Sequence, residues 1–477
     1  LVADLRVTNV EAILDQFGST AFGGDPVIHF YEEFLKSYDN KMRADAGAFY
    51  TPQPVVAAMV RIVDSLLRER FGLSAGLADP ATWEKVAELN GFEVPQGVDG
   101  DSRFISMMDP ATGTGTFLVE WLRQARDSFI DGSPATVWPD HARDVVLPGM
   151  HAFELMLAPY AIAHLKFALE LHNEGIEDAA PTILLTDTLD YSAHDEGLFD
   201  NDPVSNEGDR ATKLKTDARF TVVIGNPPYD REQRATDDKS KRKGGVARYG
   251  SPGIPALMGS VLEPLKATGM GQHAKNAYND YVYFWTWAIW QATTKQRGPG
   301  VVAFITASSF LDGVSLGGLR KHLRDAFDEL WIVDLGGDSR GARPEENVFA
   351  IRTPVAVCFG VRRGKQTGGC DVNYLKVGGS RTEKLEQLGA LDLGVLESAA
   401  AKVSGADLAP LTPLSKTAYR SWPEITDLFP LIFPGVKAGR TWVLGPTESV
   451  IEHRLKILLG SDAPQRQSLF KDSPTGR

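Results

Sequence analysis

Residues 220–229 read FTVVIGNPPY and join an apolar run to a rigid polar loop. The run at 220–224 does not alternate between polar and apolar side chains, which is typical of a strand covered on both faces of a parallel sheet. Gly225 allows a turn at the end of the strand, and Pro227 and Pro228 then fix the backbone and remove two N–H donors. The stretch therefore predicts a buried strand followed by a loop whose oxygen atoms can accept hydrogen bonds.

Six further apolar runs follow the same pattern. They are FISMMDP (104–110), GMHAFEL (149–155), TILLTDTL (182–189), VVAFITASSF (301–310), ELWIVDLGG (329–337) and PVAVCFGVRR (354–363). Helical stretches separate them, for example 115–129, 156–172, 281–293 and 316–327. Such alternation predicts an α/β fold with a doubly wound, mostly parallel sheet.

Composition limits the class of protein. The chain has 477 residues, of which 43% are hydrophobic and 23% are charged, a globular balance that excludes global disorder and fibrous repeats. This length predicts two or three domains. Only two cysteines are present, Cys358 and Cys370, so a disulfide framework and a cysteine-rich zinc module are excluded, and we expect no metal site.

The sequence shows no membrane or secretion signal. No apolar run reaches the length of about 18 residues that a transmembrane helix needs, and the opening LVADLRVTNVEAIL carries charges throughout, unlike a signal peptide. We therefore expect a cytoplasmic location. Because the sequence lacks an initiator methionine, we expect it to be part of a longer protein. The net charge of −12 does not exclude DNA binding, because phosphate contacts need only a local basic groove.

The segment DPATGTGTF, residues 109–117, follows the first apolar run. Gly113 and Gly115 permit a tight turn and the close approach of a ligand to the backbone. The segment fails the G-x-G-x-x-G pattern because Leu118 stands at the third glycine position, and Asp109 would repel a phosphate. An acid beside a glycine turn suits a cationic or zwitterionic ligand better than a pyrophosphate.

Two more carboxylates end neighbouring apolar runs. Glu154 follows the run at 149–153, where it could accept hydrogen bonds from ribose hydroxyls, and Asp187 follows the run at 182–185, where it could accept from an exocyclic amine. Each acid alone is more often simply solvated. Together with Asp109 they mark one carboxyl edge of the sheet, which is where open α/β sheets bind ligands.

The GNPPY loop, residues 225–229, carries the most specific chemistry. The side-chain oxygen of Asn226 and the carbonyl of Pro227 can form a clamp of two acceptors. Such a clamp suits an amine with two N–H bonds, such as that of adenine, cytosine or glutamine. Tyr229 offers a ring on which a planar base can stack, which contributes about 1–3 kcal/mol.

In the order GAFYTP, DPATGTGTF, HAFEL, TDTL and GNPPY, these motifs resemble the S-adenosylmethionine-dependent amino-methyltransferases of DNA, gamma-class N6-adenine type. Segments 279–288, 300–313, 319–340 and 346–363 resemble the methyltransferase region of type I single-polypeptide (type ISP) restriction–modification enzymes and, next, of type IIG and IIL enzymes. The resemblance implies a seven-stranded Rossmann-like sheet and S-adenosyl-L-methionine as cofactor. Two places depart from the family pattern: Thr186, where Gly or Asn is usual, and TASSF (306–310), where an Asn-containing string is usual.

The resemblance also implies roles for individual residues. The cofactor would be lined by Phe49, Tyr50, Thr51 and Pro52, and held by Asp109, Ala111, Gly113, Gly115 and Phe117 at its methionine part, by Glu154 at the ribose, and by Asp187 and Leu189 at the adenine. The catalytic clamp would consist of Asn226, Pro227, Pro228 and Tyr229, with Phe284 as a second ring against the target base.

The chain is expected to contain a helical coupler-like segment (1–45), the methyltransferase domain (46–365), a connector (366–430) and the start of a target-recognition region (431–477). Within the second of these, the Gly- and Asp-rich stretch 73–103 looks like a surface insertion. The resemblance implies double-stranded DNA as partner, with nuclease, helicase and target-recognition domains in the same longer polypeptide. The basic insertion after the clamp could track phosphates through Lys239, Lys241, Arg242 and Lys243, or could be a solvated loop.

Two other functions remain open at this stage. The same clamp would serve an N4-cytosine or a protein-glutamine methyltransferase, and a catalytically silent DNA-binding module is a different class. The chain length, the long insertions and the later motifs favour DNA as substrate, and the intact GNPPY loop argues against a silent module.

Overall fold

The computed structural model describes residues 51–191, 203–229, 244–269, 271–295, 297–338, 345–349, 351–364, 368–413, 422–423, 427 and 445–469. The chain divides into two compact units, residues 1–414 and 415–477. The first unit contains the sheet and, in its described part, every element discussed below except two helices. The described part of the second unit contains those helices, α13 (Glu448–Gly460) and α14 (Ala463–Leu469). None of the described helices is long and apolar enough to cross a membrane.

One nine-stranded sheet forms the centre of the first unit. Its strands are β1 (Met107–Asp109), β2 (Met150–Glu154), β3 (Thr182–Leu185), β4 (Val222–Gly225), β5 (Gly300–Ala307), β6 (Glu329–Gly336), β7 (Val355–Arg362), β8 (Asp371–Lys376) and β9 (Ala401–Val403). Their order across the sheet is β3-β2-β1-β4-β5-β7-β6-β8-β9. Strands β1 to β5 pair in parallel, whereas β7 lies antiparallel between β5 and β6. Because the strand order reverses between β1 and β4, the crevice expected for a ligand lies at the carboxyl ends of these two strands.

Twelve described helices belong to the first unit, of which two precede β1 and the others lie between strands. They are α1 (Gln53–Phe71), α2 (Trp83–Asn90), α3 (Thr116–Ile130), α4 (Trp138–His141), α5 (Leu157–Asn173), α6 (Pro203–Asp217), α7 (Gly245–Tyr249), α8 (Gly259–Ala267), α9 (Asp280–Ile289), α10 (Gly317–Ala326), α11 (Arg381–Gly389) and α12 (Leu393–Ala399). Single turns of 3-10 or π helix lie at Gly76–Ala78, Ala135–Val137, Ala142–Val146, Leu147–Gly149, Gly271–Ala277, Trp290–Thr294, Ser308–Phe310 and Val314–Leu316.

Helix α1 shows how local sequence sets an element's ends. Pro54 lies in its first turn, where a missing N–H removes no intrahelical hydrogen bond, as the sequence predicts. Gly72 ends the helix in the left-handed conformation, with φ +74°, and its N–H bonds back to the carbonyl of Arg68 at 3.1 Å. Both ends are therefore fixed, and the helix gives residues 51 and 52 a rigid neighbour.

Two apolar cores cover the two faces of the sheet. Along β5, Val301, Ala303 and Ile305 belong to the first core and Val302 and Phe304 to the second, as the alternation of side chains in a strand requires. The first core is shared with α1 and α3, and the second with α8, α9 and α10. All seven predicted apolar runs contain a strand that is covered in this way, so the predicted mostly parallel α/β sheet is confirmed.

Two expectations need correction. The sheet has nine strands and not seven, because β8 pairs in parallel with β6, and β9 pairs with β8. Both lie in the segment 366–430 expected to be a connector, so the proposed boundary after residue 365 falls inside the sheet. The sequence of β8, DVNYLK, mixes polar and apolar residues because its burial is partial along its length, which removes the continuous apolar signal.

The stretch 73–103 is not a surface insertion. Trp83 on α2 is 3% exposed and belongs to the first core, where its ring meets Phe104 edge-on at 4.8 Å between centroids. The guanidinium of Arg219 lies 4.8 Å from the same indole ring. A few large, buried side chains therefore attach this segment to the core, although its composition resembles that of a loop.

Candidate functional site

Asp109 lies at the carboxyl end of β1 and is fully buried. Its Oδ1 accepts a hydrogen bond from the backbone N–H of Ala111 at 3.1 Å. Its Oδ2 is buried and has no hydrogen-bond partner among the described residues. Burial raises the pKa of this carboxyl to about 7. A buried acid with one unfilled oxygen is suited to accept a hydrogen bond from, and to neutralise, a cationic group.

The two glycines after Asp109 have different roles. Gly113 and Gly115 both adopt left-handed φ angles, +55° and +78°. A Cβ on Gly115 would come within 3.2 Å of the Cβ of Ala163, so this glycine allows α3 and α5 to pack closely. A Cβ on Gly113 would meet nothing within 4 Å. The backbone at Gly113 is therefore open to the approach of a ligand, whereas Gly115 serves packing.

Glu154 connects the end of β2 to the glycine loop. One carboxylate oxygen accepts from the N–H of Gly113 at 2.8 Å and the other from the N–H of Met156 at 2.8 Å. Burial raises the pKa of this carboxyl. A carboxylate has about four lone-pair positions, so each oxygen keeps capacity for a further donor, such as a hydroxyl.

Hydrogen bonds link the loops after β1, β2 and β3 into a ring. Gly113 donates to Glu154, as described above, and the N–H of Thr186 donates to the carbonyl of Glu154 at 2.8 Å. The ring closes where the hydroxyl of Thr188 donates to the carbonyl of Pro110. Within it, the exposed Asp187 accepts from the N–H of Leu189 at 2.9 Å. The three predicted acids therefore do meet at one edge of the sheet.

The GNPPY loop adjoins this edge directly. A Cβ on Gly225 would lie 2.7 Å from Oδ1 of Asp109, so the loop passes the acid at a distance that only glycine allows. The half-buried side chain of Asn226 donates from Nδ2 to the hydroxyl of Thr51 at 3.0 Å. Its Oδ1 is buried and has no hydrogen-bond partner in the described part of the chain. The clamp residue therefore presents an acceptor, beside the acid that ends β1.

Aromatic side chains surround the loop on the second face. Tyr229 is 8% exposed and belongs to the second core, together with all the aromatic residues of α9. Among the aromatic residues of that helix, Phe284 keeps the largest exposure, 7%, whereas Tyr281 has 2% and Tyr283 none. The aromatic side chains of α9 are therefore mostly part of this core. Phe284 is the ring of the helix best able to reach a ligand, and its stacking role stays a prediction.

The remaining predicted site residues are placed as follows. Phe117 is 4% exposed and packs in the first core at the start of α3, and Leu189 is 6% exposed. Pro52 caps the N-terminus of α1. Several residues lie outside the described part of the chain: Phe49, Tyr50, Lys239, Lys241, Arg242 and Lys243. Among the described residues, no group of three or more His, Cys, Asp or Glu side chains could hold a metal ion.

Lys215 is a site residue that the sequence did not reveal. Its ammonium, on α6, is 1% exposed and donates to the hydroxyl of Thr186 at 2.8 Å and to the carbonyls of Asp187 and Asp190 at 2.6 and 2.8 Å. Burial lowers its pKa to about 8. Thr186, which departs from the family pattern, thus has a specific partner. The unusual Thr186 was the signal in the sequence, because a hydroxyl at this position indicates a hydrogen-bond partner nearby.

We expect Lys215→Met to loosen the loop 186–190 and to lower the free energy of unfolding by about 1–3 kcal/mol, because three partly buried acceptors lose their donor. Hydrogen–deuterium exchange of the loop should speed up, and thermal unfolding should shift down by several degrees. Lys213→Met is the matched control, since Lys213 lies on the same helix and is exposed. Equal exchange rates in both variants would show that Lys215 does not hold the loop.

Comparison with known proteins supports the resemblance. Residues 151–340 match the Eco57I restriction-modification methylase family, and residues 23–81 match the N-6 DNA Methylase family. Comparison with curated protein sequences gives no match. The predicted resemblance to N6-type DNA methyltransferases of restriction–modification systems is therefore confirmed.

Solved structures with a similar fold have much longer chains, of which only a part matches. A DrdV–DNA complex is 28% identical, with a TM-score of 0.59 over 80% of this chain and 33% of that one. The ATP-dependent type ISP restriction–modification enzyme LlaBIII bound to DNA is 22% identical, with a TM-score of 0.64 over 84% of this chain and 25% of that one. A nuclease-deletion mutant of the type ISP enzyme LlaGI with a DNA substrate mimic is 22% identical, with a TM-score of 0.61 over 90% and 32%. The chain thus spans a quarter to a third of the length of these structures.

Proposed function

We propose that this chain, which carries regions of the N6-type and Eco57I-type DNA methylase families, transfers a methyl group from S-adenosyl-L-methionine to the N6 amine of an adenine extruded from duplex DNA. One observation carries the proposal: Oδ1 of Asn226 is buried, has no hydrogen-bond partner in the described chain and lies on the loop that touches Asp109. A buried acceptor left without a donor is unfavourable unless a ligand supplies one. An amine donor at that position is what the reaction requires.

The residues at the sheet edge fit the cofactor. Asp109 has an unfilled buried oxygen for a cationic group, Gly113 leaves its backbone open, and Glu154 keeps acceptor capacity for ribose hydroxyls. The other residues that would hold it are Phe49, Tyr50, Thr51, Pro52, Ala111, Gly115, Phe117, Asp187 and Leu189. When bound, the cofactor supplies an electrophilic methyl group on a sulfonium sulfur. The protein's own contribution is to place an amine in line with that group.

The clamp makes the amine a better nucleophile. The lone pair of the adenine N6 amine is delocalised into the ring, which weakens it. Oδ1 of Asn226 and the carbonyl of Pro227 would accept its two N–H bonds and so draw the nitrogen toward tetrahedral geometry. After transfer the nitrogen must lose one proton, which leaves along one of these hydrogen bonds toward solvent. Pro228 keeps the loop rigid, so little reorganisation is needed during the reaction.

The target base must leave the duplex to reach this clamp. Extrusion costs a few kcal/mol, and stacking on Tyr229 would offset part of it, with Phe284 on the other side. DNA contact needs local positive charge, which the insertion carrying Lys239, Lys241, Arg242 and Lys243 would supply. The nuclease, helicase and target-recognition domains and the cytoplasmic location expected from the sequence remain proposals for the longer polypeptide.

Product analysis tests the proposed function. The chain is incubated with duplex DNA and cofactor carrying a tritiated methyl group, and the DNA is digested to nucleosides and separated. We expect the label in N6-methyl-2′-deoxyadenosine. Label in N4-methylcytosine, or in a glutamine of an added protein, would overturn the adenine assignment. A thermal shift with cofactor but no transfer to any substrate would indicate a silent binding module.

A further inference from the structure

We propose that Thr51 is a positioning residue for Asn226: its hydroxyl fixes the carboxamide in the orientation that turns Oδ1, and not Nδ2, toward the target amine. The inference rests on the proposed function, since it assigns a further role within the same clamp. The resemblance implies only that Thr51 lines the cofactor. The hydrogen bond from Nδ2 of Asn226 to Oγ1 of Thr51, 3.0 Å long, shows that it also contacts the clamp.

A carboxamide needs an external partner to be oriented. Its oxygen and nitrogen ends have nearly the same shape, so rotation by 180° about the last side-chain bond exchanges them at little steric expense. In the orientation found here, Nδ2 is satisfied by Thr51 and Oδ1 is left for an incoming donor. In the opposite orientation, Nδ2 would face the N–H bonds of the amine, donor against donor. The partner of Nδ2 therefore decides whether the clamp can work.

Thr51 is well placed to hold that orientation. It is 8% exposed and directly precedes Pro52, the N-cap of α1, whose carbonyl accepts from the N–H of Val55 at 3.0 Å. Helix α1 is anchored in the first core by Val55 and eight further buried residues. On the other side, Gly225 is held against Asp109. Asn226 therefore lies between the buried start of α1 and the buried acid Asp109. Asn226 and Thr51 are 175 positions apart in sequence, so only the fold brings them together.

The size of the effect follows from the strength of one hydrogen bond. A neutral hydrogen bond of ordinary net strength biases an equilibrium by about 5- to 10-fold. Without this hydrogen bond, a smaller fraction of the molecules holds the Asn226 carboxamide with Oδ1 toward the amine. The amine is then also less well aligned with the methyl group. We therefore expect Thr51→Val, which keeps the shape and removes the hydroxyl, to slow methyl transfer about 10- to 100-fold.

Three measurements separate positioning from cofactor lining. The first is the single-turnover rate of methyl transfer to DNA at saturating cofactor, and the second is the cofactor dissociation constant. For Thr51→Val, positioning predicts a slower rate with a dissociation constant within about threefold of the wild type. A mere lining role predicts the reverse. Thr51→Ser restores the hydroxyl and should restore the rate to within about threefold, whereas a serine variant as slow as the valine variant would overturn the proposal.

The third measurement needs no substrate. With asparagine selectively labelled with ¹⁵N, the Asn226 side-chain resonance is identified by its loss in Asn226→Ala. Its Nδ2 protons should exchange slowly with solvent in the wild type and in Thr51→Ser, and at least about tenfold faster in Thr51→Val. Unchanged exchange in Thr51→Val would overturn the inference. If the wild-type chain methylates no DNA, the proposed function fails, while this measurement still decides whether Thr51 holds Asn226.

Discussion

We expect Asn226→Ala to reduce methyl transfer to DNA by at least about 1,000-fold and to leave the cofactor dissociation constant within about threefold. In the proposed mechanism the alanine removes an acceptor that would act on the amine as its bond to the methyl group forms, and the loss of one such preorganised group typically slows a reaction 10²- to 10³-fold. The correct aim of the nucleophile is lost with it. Single-turnover transfer and equilibrium cofactor binding measure the two effects separately.

The controls for this prediction follow from the site. Among the described residues, the side chain of Asn226 makes one hydrogen bond, to Thr51, so its removal should lower the free energy of unfolding by only about 1 kcal/mol. A large loss of stability would mean that the loop depends on Asn226 for folding. Asn226→Asp keeps an acceptor in the same position and should be less impaired than the alanine variant. Transfer by Asn226→Ala at the wild-type rate would remove Asn226 from the mechanism.

We expect Asp109→Ala to weaken cofactor binding by at least about 100-fold. A carboxylate about 4 Å from a positive charge in a partly screened environment contributes about 4 kcal/mol of attraction, and the variant also leaves a cavity. Isothermal titration of the cofactor measures this loss. Asp101→Asn serves as control, because Asp101 is exposed and lies outside the edge of the sheet where the acids meet.

The pH dependence of the same acid provides a second check. Because burial raises the pKa of Asp109 to about 7, the free protein holds a proton there below neutrality. A cationic cofactor favours the carboxylate, so affinity should rise with pH up to about 7 and level off above it. Below pH 7 the dissociation constant should increase by up to about tenfold per pH unit. In Asp109→Asn this dependence should disappear.

Stability should move in the opposite sense. Since the folded-state pKa of Asp109 lies above its ordinary value, the stability that the neutral carboxyl contributes is fully present below about pH 4 and is lost as pH rises from there to about 7. Asp109→Asn removes the titration, so the free variant should gain stability relative to the wild type between about pH 4 and pH 7 and gain no more above that. Equal changes in the melting temperatures of the wild type and of Asp109→Asn over this interval would contradict a buried, unpaired Asp109.

The sheet could be predicted from the sequence, except at one edge. Seven strands are covered on both faces and therefore appear as continuous apolar runs, which local sequence reveals. β8 and β9 lie at an edge, where partial exposure mixes polar residues into the pattern. The burial of Trp83 could not be predicted for a different reason: its partners Phe104 and Arg219 are distant in sequence and become neighbours only in the fold.

The sequence predicts residues of the candidate site but not their contacts. The order of motifs points to Asp109, Glu154, Asp187 and Asn226, and the structure brings the loops that carry them together. The sequence could not show that Oδ2 of Asp109 and Oδ1 of Asn226 are left unfilled, because this depends on which neighbours satisfy the other atoms. The contacts of Lys215 could not be predicted for the same reason, because a single lysine in a polar helix gives no sign that it is buried.

The close approach of Gly225 to Asp109 bears on the engineering of this protein toward other alkyl donors. The GNPPY loop would hold the amine, and Asp109 would hold the donor. Gly225 packs directly against Asp109, so only this glycine separates the two. A donor analogue with a longer alkyl chain gains no space there by any substitution, because residue 225 is already the smallest one. Libraries that seek ethyl or allyl transfer should therefore keep Gly225 fixed and vary other residues around the site.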